Sequence, residues 1–510
     1  MKEKGTTSAS AAHMGNSYPS RRRFSFLSDI FKLASGAGAA QIIRAILSPI
    51  ITRLFLPQAL GIAQNFSAIA KTMAVLSALR YEDSIQIPRK KSDAYHQLLL
   101  CILLTTFTSG AALFLVLFFR RHIASMLNAP ELETLLWGVP IFMAARGYFL
   151  ALQQWNAREE KYGHISSATI ANSIIWNGGT AGLGLAGWTG SASMITSQIA
   201  GQAAAFSILA SRFFRKNLLN GLRDFQWKKI QAGILKYKKF PLFNIWSKLL
   251  DNAALYIPTL LFSAFFSPAV AGQYSLGFNI LQLPFAMLGQ SIGQVLYQRA
   301  SGAQHEGKIT AVIEKPLSFF IRLGIYPALV FTVIAPELVT LLFGNTWGEA
   351  GIYAQILSPW MLFIFLSLAL ERIPAIVGKN ENILIFHALN TAMRVGVLVV
   401  GGQKGSALLV VRLLGIGGSI IYLGNILSVI LISGIPITRF IQSFIKEVLF
   451  CAPFLLTVYA IKNWIPIPIF YSDIFLVAAA FLIGCLYYGI AIMKEPSAKE
   501  FLSSKVQRRG

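Results

Sequence analysis

Residues 212–239, RFFRKNLLNGLRDFQWKKIQAGILKYKK, and residues 240–299, FPLFNIWSKLLDNAALYIPTLLFSAFFSPAVAGQYSLGFNILQLPFAMLGQSIGQVLYQR, decide how this chain is read. The first stretch carries nine Lys and Arg against one acid, Asp224. The second is two long apolar segments joined by a short turn at 267–273. A basic seam followed by a fresh start of apolar helices points to a membrane protein made of two halves. Around the seam, Leu218, Leu222, Phe225, Ile230 and Ile234 recur at roughly helical spacing among the lysines. That pattern predicts an amphipathic helix lying on the anionic inner leaflet.

Composition agrees. Of 510 residues, 55% are hydrophobic and 13% charged, and the mean hydropathy is +0.58. Soluble domains carry about 25% charged residues. Apolar windows near 30–51, 59–79, 97–119, 132–154, 166–187, 192–211, 241–265, 274–298, 317–334, 351–372, 383–402, 407–431, 447–461 and 473–493 predict an all-α polytopic protein with fourteen transmembrane helices. With an N-terminus inside, 32 of the 45 Lys and Arg fall in cytoplasmic loops and tails. Five fall outside and eight lie inside the windows, with Arg372 at the edge of its window counted as cytoplasmic. This is the positive-inside bias, and it places both termini in the cytoplasm. The same bias explains the net charge of +24 without nucleic acid.

The repeat is visible in residues. Residues 49–61 and 258–272 each hold an intrahelical proline (Pro49, Pro258) followed by a Pro-x-x-x-Gly turn (Pro57–Gly61, Pro268–Gly272). The long helices after these turns end at Arg80 and Arg299. Parallel repeats place substrate between the halves. The expected organisation is a cytoplasmic tail (1–29), a six-helix lobe (30–211), a basic linker (212–240), a second six-helix lobe (241–431), two appended helices (447–493) and a second tail (494–510).

Several stretches resemble a known family: FKLASGAGAAQIIRAILSPIITRLFLP (31–57), LRYEDSIQIP (79–88), YKKFPLFNIWSKLLDNAALYIPTLLFSAFFSPAVAGQYSLG (237–277) and FGNTWGEAGIYAQILSPWML (343–362). They are similar to polysaccharide (O-antigen type) lipid-linked oligosaccharide flippases of the multidrug/oligosaccharidyl-lipid/polysaccharide exporter superfamily. The resemblance implies a V of two lobes that carries undecaprenyl-pyrophosphate-linked sugars across the inner membrane for surface polysaccharide synthesis. A polysaccharide polymerase and a chain-length regulator are the protein partners such a role implies. It is weaker over the last two helices.

Embedded charges are the candidate site. A cation at mid-membrane costs about 2.5–3.5 kcal/mol on insertion scales, so it needs a partner or a cavity. Arg146 and Arg322 lie deepest in their windows, followed by Arg44, Lys71 and Arg394. Converging guanidinium groups suit a pyrophosphate, which accepts bidentate hydrogen bonds. Asp251, three residues from Lys248, is a candidate for ion coupling or for a structural pair. Trp155, Trp176, Trp188, Trp347 and Trp464 read as interfacial anchors. Cys101, Cys451 and Cys485 form no metal or disulfide pattern, and no GxxxxGK[ST] occurs. No cofactor, metal or enzymatic activity is expected. The rivals are a drug exporter of the same superfamily, which should hold acids for cationic cargo, and a membrane polymerase, which needs large outer loops.

Overall fold

The computed structural model describes residues 20–223, 226–304, 309–464 and 472–493. Residues 1–19, Asp224, Phe225, the expected second tail (494–510), and the side chains of Arg212, Arg215, Lys216 and Arg223 lie outside that description. Among the described residues the chain is helical and holds no strand.

The first half contains α1 (Ser20–Leu54), α2 (Pro57–Val75), α3 (Lys91–Met126), α4 (Leu132–Leu135), α5 (Gly138–Arg158), α6 (Tyr162–Ser173), α7 (Gly179–Leu185) and α8 (Ser191–Arg223). A π-helical turn, Ile174–Gly178, joins α6 to α7. The seam holds α9 (Trp227–Lys236). The second half contains α10 (Ile245–Phe265), α11 (Pro268–Gln304), α12 (Ile309–Phe343), α13 (Gly348–Leu370), α14 (Ile373–Ile376), α15 (Asn380–Gln403), α16 (Ala407–Ile432), α17 (Ile437–Trp464) and α18 (Ser472–Met493). Each of the fourteen apolar windows is occupied by helix. Eight spans among the described residues are long and apolar enough on their own to cross a membrane.

The helices run past their windows. α3 starts at Lys91 rather than 97, and α17 starts at Ile437 rather than 447. Hydropathy marks only the stretch that lipid would surround, whereas the backbone ladder continues into polar residues. The anchor reading of the tryptophans is corrected in part: Trp188 and Trp464 are exposed, but Trp155 and Trp347 are buried in protein.

Two bundles result. In the first, α1 packs on α6, α3 on α5, and α5 and α6 on α8. In the second, α11 and α12 pack on α13, and α15 on α16. The bundles meet mainly where α2 packs on α10 and α11. That meeting is reciprocal. A Cβ added at Gly61 would stand 1.7 Å from the carbonyl oxygen of Pro268, and one added at Gly272 would stand 2.1 Å from that of Pro57. Each proline opens its helix with no N–H to satisfy, and each glycine lets the other helix's first turn lie directly on its backbone.

Around this crossing, free helix ends are capped across the gap. Arg53 donates from Nη2 to the Leu341 carbonyl (2.6 Å) and from Nε to that of Leu342 (3.2 Å), at the end of α12. The Trp347 indole N–H donates to the Thr52 carbonyl at the end of α1 (2.7 Å). Asn128, at φ 51°, donates to the Ser263 and Ala264 carbonyls near the end of α10. Orphan C-terminal carbonyls are therefore the material of this closure. It lies at the end of the molecule opposite the basic seam.

The last two helices join the second bundle's core through α12. Arg322 of α12 makes a bidentate pair with Glu447 of α17, both oxygens at 2.7 Å, with side chains 14% and 2% exposed. Tyr326 donates to the Ala480 carbonyl, and Tyr487 to that of Arg322. Tyr488 donates to the Leu323 carbonyl (2.7 Å), which Pro327 leaves without its helical partner.

Two outcomes test this packing. Gly61→Val should weaken the crossing by about 1–3 kcal/mol through overpacking. A cysteine placed at the buried Asn65 should then react faster with a water-soluble maleimide, and an unchanged rate would refute the closing role. Glu447→Ala should lower stability by about 3–5 kcal/mol because it strands a buried charge. Arg322→Met with Glu447→Leu should recover most of that loss in thermal unfolding.

Candidate functional site

Three of the embedded cations converge. Arg44 of α1 sits 5.5 Å over the Trp176 ring, and the Lys71 ammonium of α2 sits 5.3 Å over the same ring. Lys71 also lies 5.6 Å from the Tyr256 ring of α10, so it reaches from the first bundle to the second. Arg146 of α5 is within electrostatic reach of Lys71 and of the Tyr256 hydroxyl. Its Nη1 donates to Gln202 Oε1 of α8 at 3.4 Å, and Asn172 Nδ2 donates to the same oxygen at 3.3 Å. The Gln202 amide nitrogen is buried without a protein partner.

Local backbone chemistry presents these groups. Trp176 lies on the π-helical turn, where the extra residue per turn shifts the following side chains around the axis. Such turns concentrate at functional sites. Among the described residues, Arg44, Lys71 and Arg146 have no carboxylate partner. Their charge is met by the faces of Trp176, Tyr256 and Phe149 and by neutral amides. Aromatic faces offset desolvation by about 0.5–2 kcal/mol each, less than a carboxylate would supply. The cluster can therefore take an anion.

Arg322 and Arg394 do not join it. Arg322 is held by Glu447, as described above. Arg394 of α15 is 6% exposed, lies 5.0 Å over the Trp360 ring, and donates from Nη1 to the Ala254 carbonyl at 2.8 Å. Pro258 lies four residues after Ala254 and frees that carbonyl, so Arg394 completes a kinked helix inside the second bundle. Lys248 and Asp251 face each other at 3.6 Å with side chains 48% and 47% exposed. Depth within a window does not separate a cation facing a cavity from one facing a neighbouring helix. Trp176, read from the sequence as an interfacial anchor, instead lies under Arg44 and Lys71, and Tyr256 carries no signal in the sequence reading, although both stand mid-window, where an interfacial anchor has no place.

The LRYEDSIQIP stretch forms a tightly held turn at the basic end, outside the membrane-spanning helices. Leu79 and Arg80 both have positive φ (50° and 62°), a left-handed geometry that side chains disfavour by about 1–2 kcal/mol each. Arg158 donates to the carbonyls of Ile85, Gln86, Pro88 and Arg89 and holds the turn down. Glu82 is 3% exposed. Its Oε1 accepts from Arg80 at 3.3 Å, and its Oε2 is buried without a partner. Burial outweighs the Arg80 charge and pushes the Glu82 carboxyl up to about 7 from its ordinary 4.5. The folded chain therefore holds a proton that the unfolded chain has released, and stability falls as pH rises from 4.5 through 7. In Glu82→Gln, the fall in Tm between pH 5 and pH 8 should shrink. A fall equal to that of the unsubstituted protein would exclude the buried carboxyl as its source.

No curated protein sequence matches the chain. In shape it is similar to the lipid II flippase MurJ in an inward closed conformation, with TM-score 0.71 and 12% identity, over 90% of this chain and 98% of that one. It is also similar to a multidrug resistance MATE family transporter of the MOP superfamily in an inward-facing conformation, with TM-score 0.60 and 13% identity, over 77% of this chain and 94% of that one. At these identities the likeness shows a shared fold. The sequence profile of a family described as polysaccharide biosynthesis protein matches residues 50–351. That stretch is more than half of the chain and includes Lys71, Arg146, Trp176 and Tyr256, and the chain belongs to the polysaccharide biosynthesis protein family.

Proposed function

We propose that this protein moves polyprenyl-pyrophosphate-linked oligosaccharide repeat units from the cytoplasmic to the outer leaflet of the inner membrane, by alternating access of its two bundles. Both termini then lie in the cytoplasm, with the basic seam. One observation carries the reading: Arg44, Lys71 and Arg146 converge between the bundles with no acid among the described residues to neutralise them. A pyrophosphate supplies that charge, and guanidinium groups bind its oxygens in a fork. Lys71 reaches the Tyr256 ring of the second bundle at 5.6 Å, so an anion bound by Lys71 competes with that contact and loosens the bundles from each other.

Family membership and the flippase-like fold support a lipid-linked cargo. A drug exporter of the superfamily shares the fold, but a cationic drug would be repelled by this cluster. A polymerase is disfavoured by the short connections at the closed end, such as Phe55–Leu56 between α1 and α2 and Phe266–Ser267 between α10 and α11.

The test is delivery of lipid-linked sugar to the outer leaflet at matched protein level. Arg44→Gln, Lys71→Gln and Arg146→Gln should each slow delivery by roughly tenfold or more, given about 1.5–3 kcal/mol per charged hydrogen bond. Arg322→Met with Glu447→Leu should transport normally. Native rates in all three single variants would refute the anion site.

A further inference from the structure

The seam helix α9 is fixed to the first bundle. Ile230 is fully buried, and α9 packs on α3. The Gln226 N–H donates to His96 Nε2 (3.2 Å), Lys229 Nζ to Ser92 Oγ (3.2 Å), and the Tyr81 hydroxyl to the Ile234 carbonyl (3.1 Å). Among the described residues, the other faces of α9 carry no such contacts. At about 100° per residue, Ile234, Trp227 and Leu235 flank the docked face on one side, and Lys229, Lys236 and Lys228 flank it on the other. An apolar flank beside a lysine flank is the geometry of a helix lying in a headgroup layer.

The same chemistry continues beyond α9. Lys238 and Lys239 are exposed, and the π-helical turn Phe240–Asn244 leads into α10. There Leu242, Phe243 and Trp246 are 57%, 67% and 65% exposed. Between residues 226 and 250 stand six lysines and no acid. The first carboxylate after them, Asp251, already faces Lys248. Among the described residues the surface is uncompensated, and it spans the joint between α9, bound to the first bundle, and α10, which begins the second.

We propose that this lysine–aromatic surface docks onto an anionic bilayer leaflet, and that phosphate headgroups bridge the joint between the two bundles. Trp227, Leu235, Phe243 and Trp246 enter the acyl boundary, while Lys228, Lys236, Lys238 and Lys239 reach the headgroups. The bound leaflet tethers both sides of the joint, so anionic lipid restrains the movement of one bundle against the other whatever cargo crosses.

The experiment uses the full chain in vesicles, with bromine on the acyl chains of either phosphatidylglycerol or phosphatidylcholine. Subtraction of the Trp227→Phe/Trp246→Phe signal isolates the emission of these two residues. At about 1 kcal/mol per lysine near the surface, brominated phosphatidylglycerol should quench that emission at least about twofold more than brominated phosphatidylcholine. The exposed quadruple substitution Lys228→Gln, Lys236→Gln, Lys238→Gln and Lys239→Gln should abolish the preference, as should high salt. Equal quenching by the two lipids, or a preference that survives the quadruple substitution, would overturn the proposal. The measurement needs no cargo, so its failure leaves the transport reading standing, and failed transport leaves the lipid reading testable.

Discussion

The closed arrangement depends on backbone pressed against backbone where α2 crosses α11. At Gly61 and Gly272 there is no room for a methyl group. Everything else at that end follows from how near the crossing draws the two bundles. Arg53 reaches the last carbonyls of α12, Trp347 reaches the end of α1, and Asn128 reaches the end of α10. Each of these bonds satisfies a carbonyl that water satisfies equally well once the bundles part. The closure is thus specific in geometry and small in net energy. A transporter needs that combination if both of its open states are to be populated.

The cation cluster obeys the opposite logic. Partly buried positive charge without a counterion is expensive, and ring faces compensate it only in part. Such a cluster is fit to receive an anion. Arg322 shows the contrast within the same molecule. Given Glu447, a buried arginine becomes an anchor between helices, with its hydrogen-bonding capacity spent on a fixed partner.

The sequence made the architecture legible because its strongest signals are local or periodic. The basic seam, the apolar windows and the two Pro-x-x-x-Gly turns needed no tertiary knowledge, and the turns prove to be the crossing itself. The site was legible by half. Arg44, Lys71 and Arg146 were marked as costly charges, and the structure draws them together. Arg322 and Arg394 were equally costly on paper, but their partners lie far along the chain. Glu447 is 125 residues from Arg322 and is the edge residue of the window 447–461, whereas the helix begins at 437 and holds it well inside. The Ala254 carbonyl became available to Arg394 only through the proline four residues on. Trp176 depends on a π-helical turn that carries no mark in composition. Such pairings are decided by packing, which hydropathy does not encode.

The last two helices bind α12 through Arg322, Tyr326, Tyr487 and Tyr488, in part on the Leu323 carbonyl that Pro327 of α12 sets free. The second bundle is therefore the bulkier of the two and presents the longer perimeter to surrounding acyl chains. Any tilt of that bundle must displace more lipid than an equal tilt of the first. Viscous drag and the elastic cost of bending the leaflet then fall unequally. The second bundle is thus the harder of the two to tilt in a bilayer.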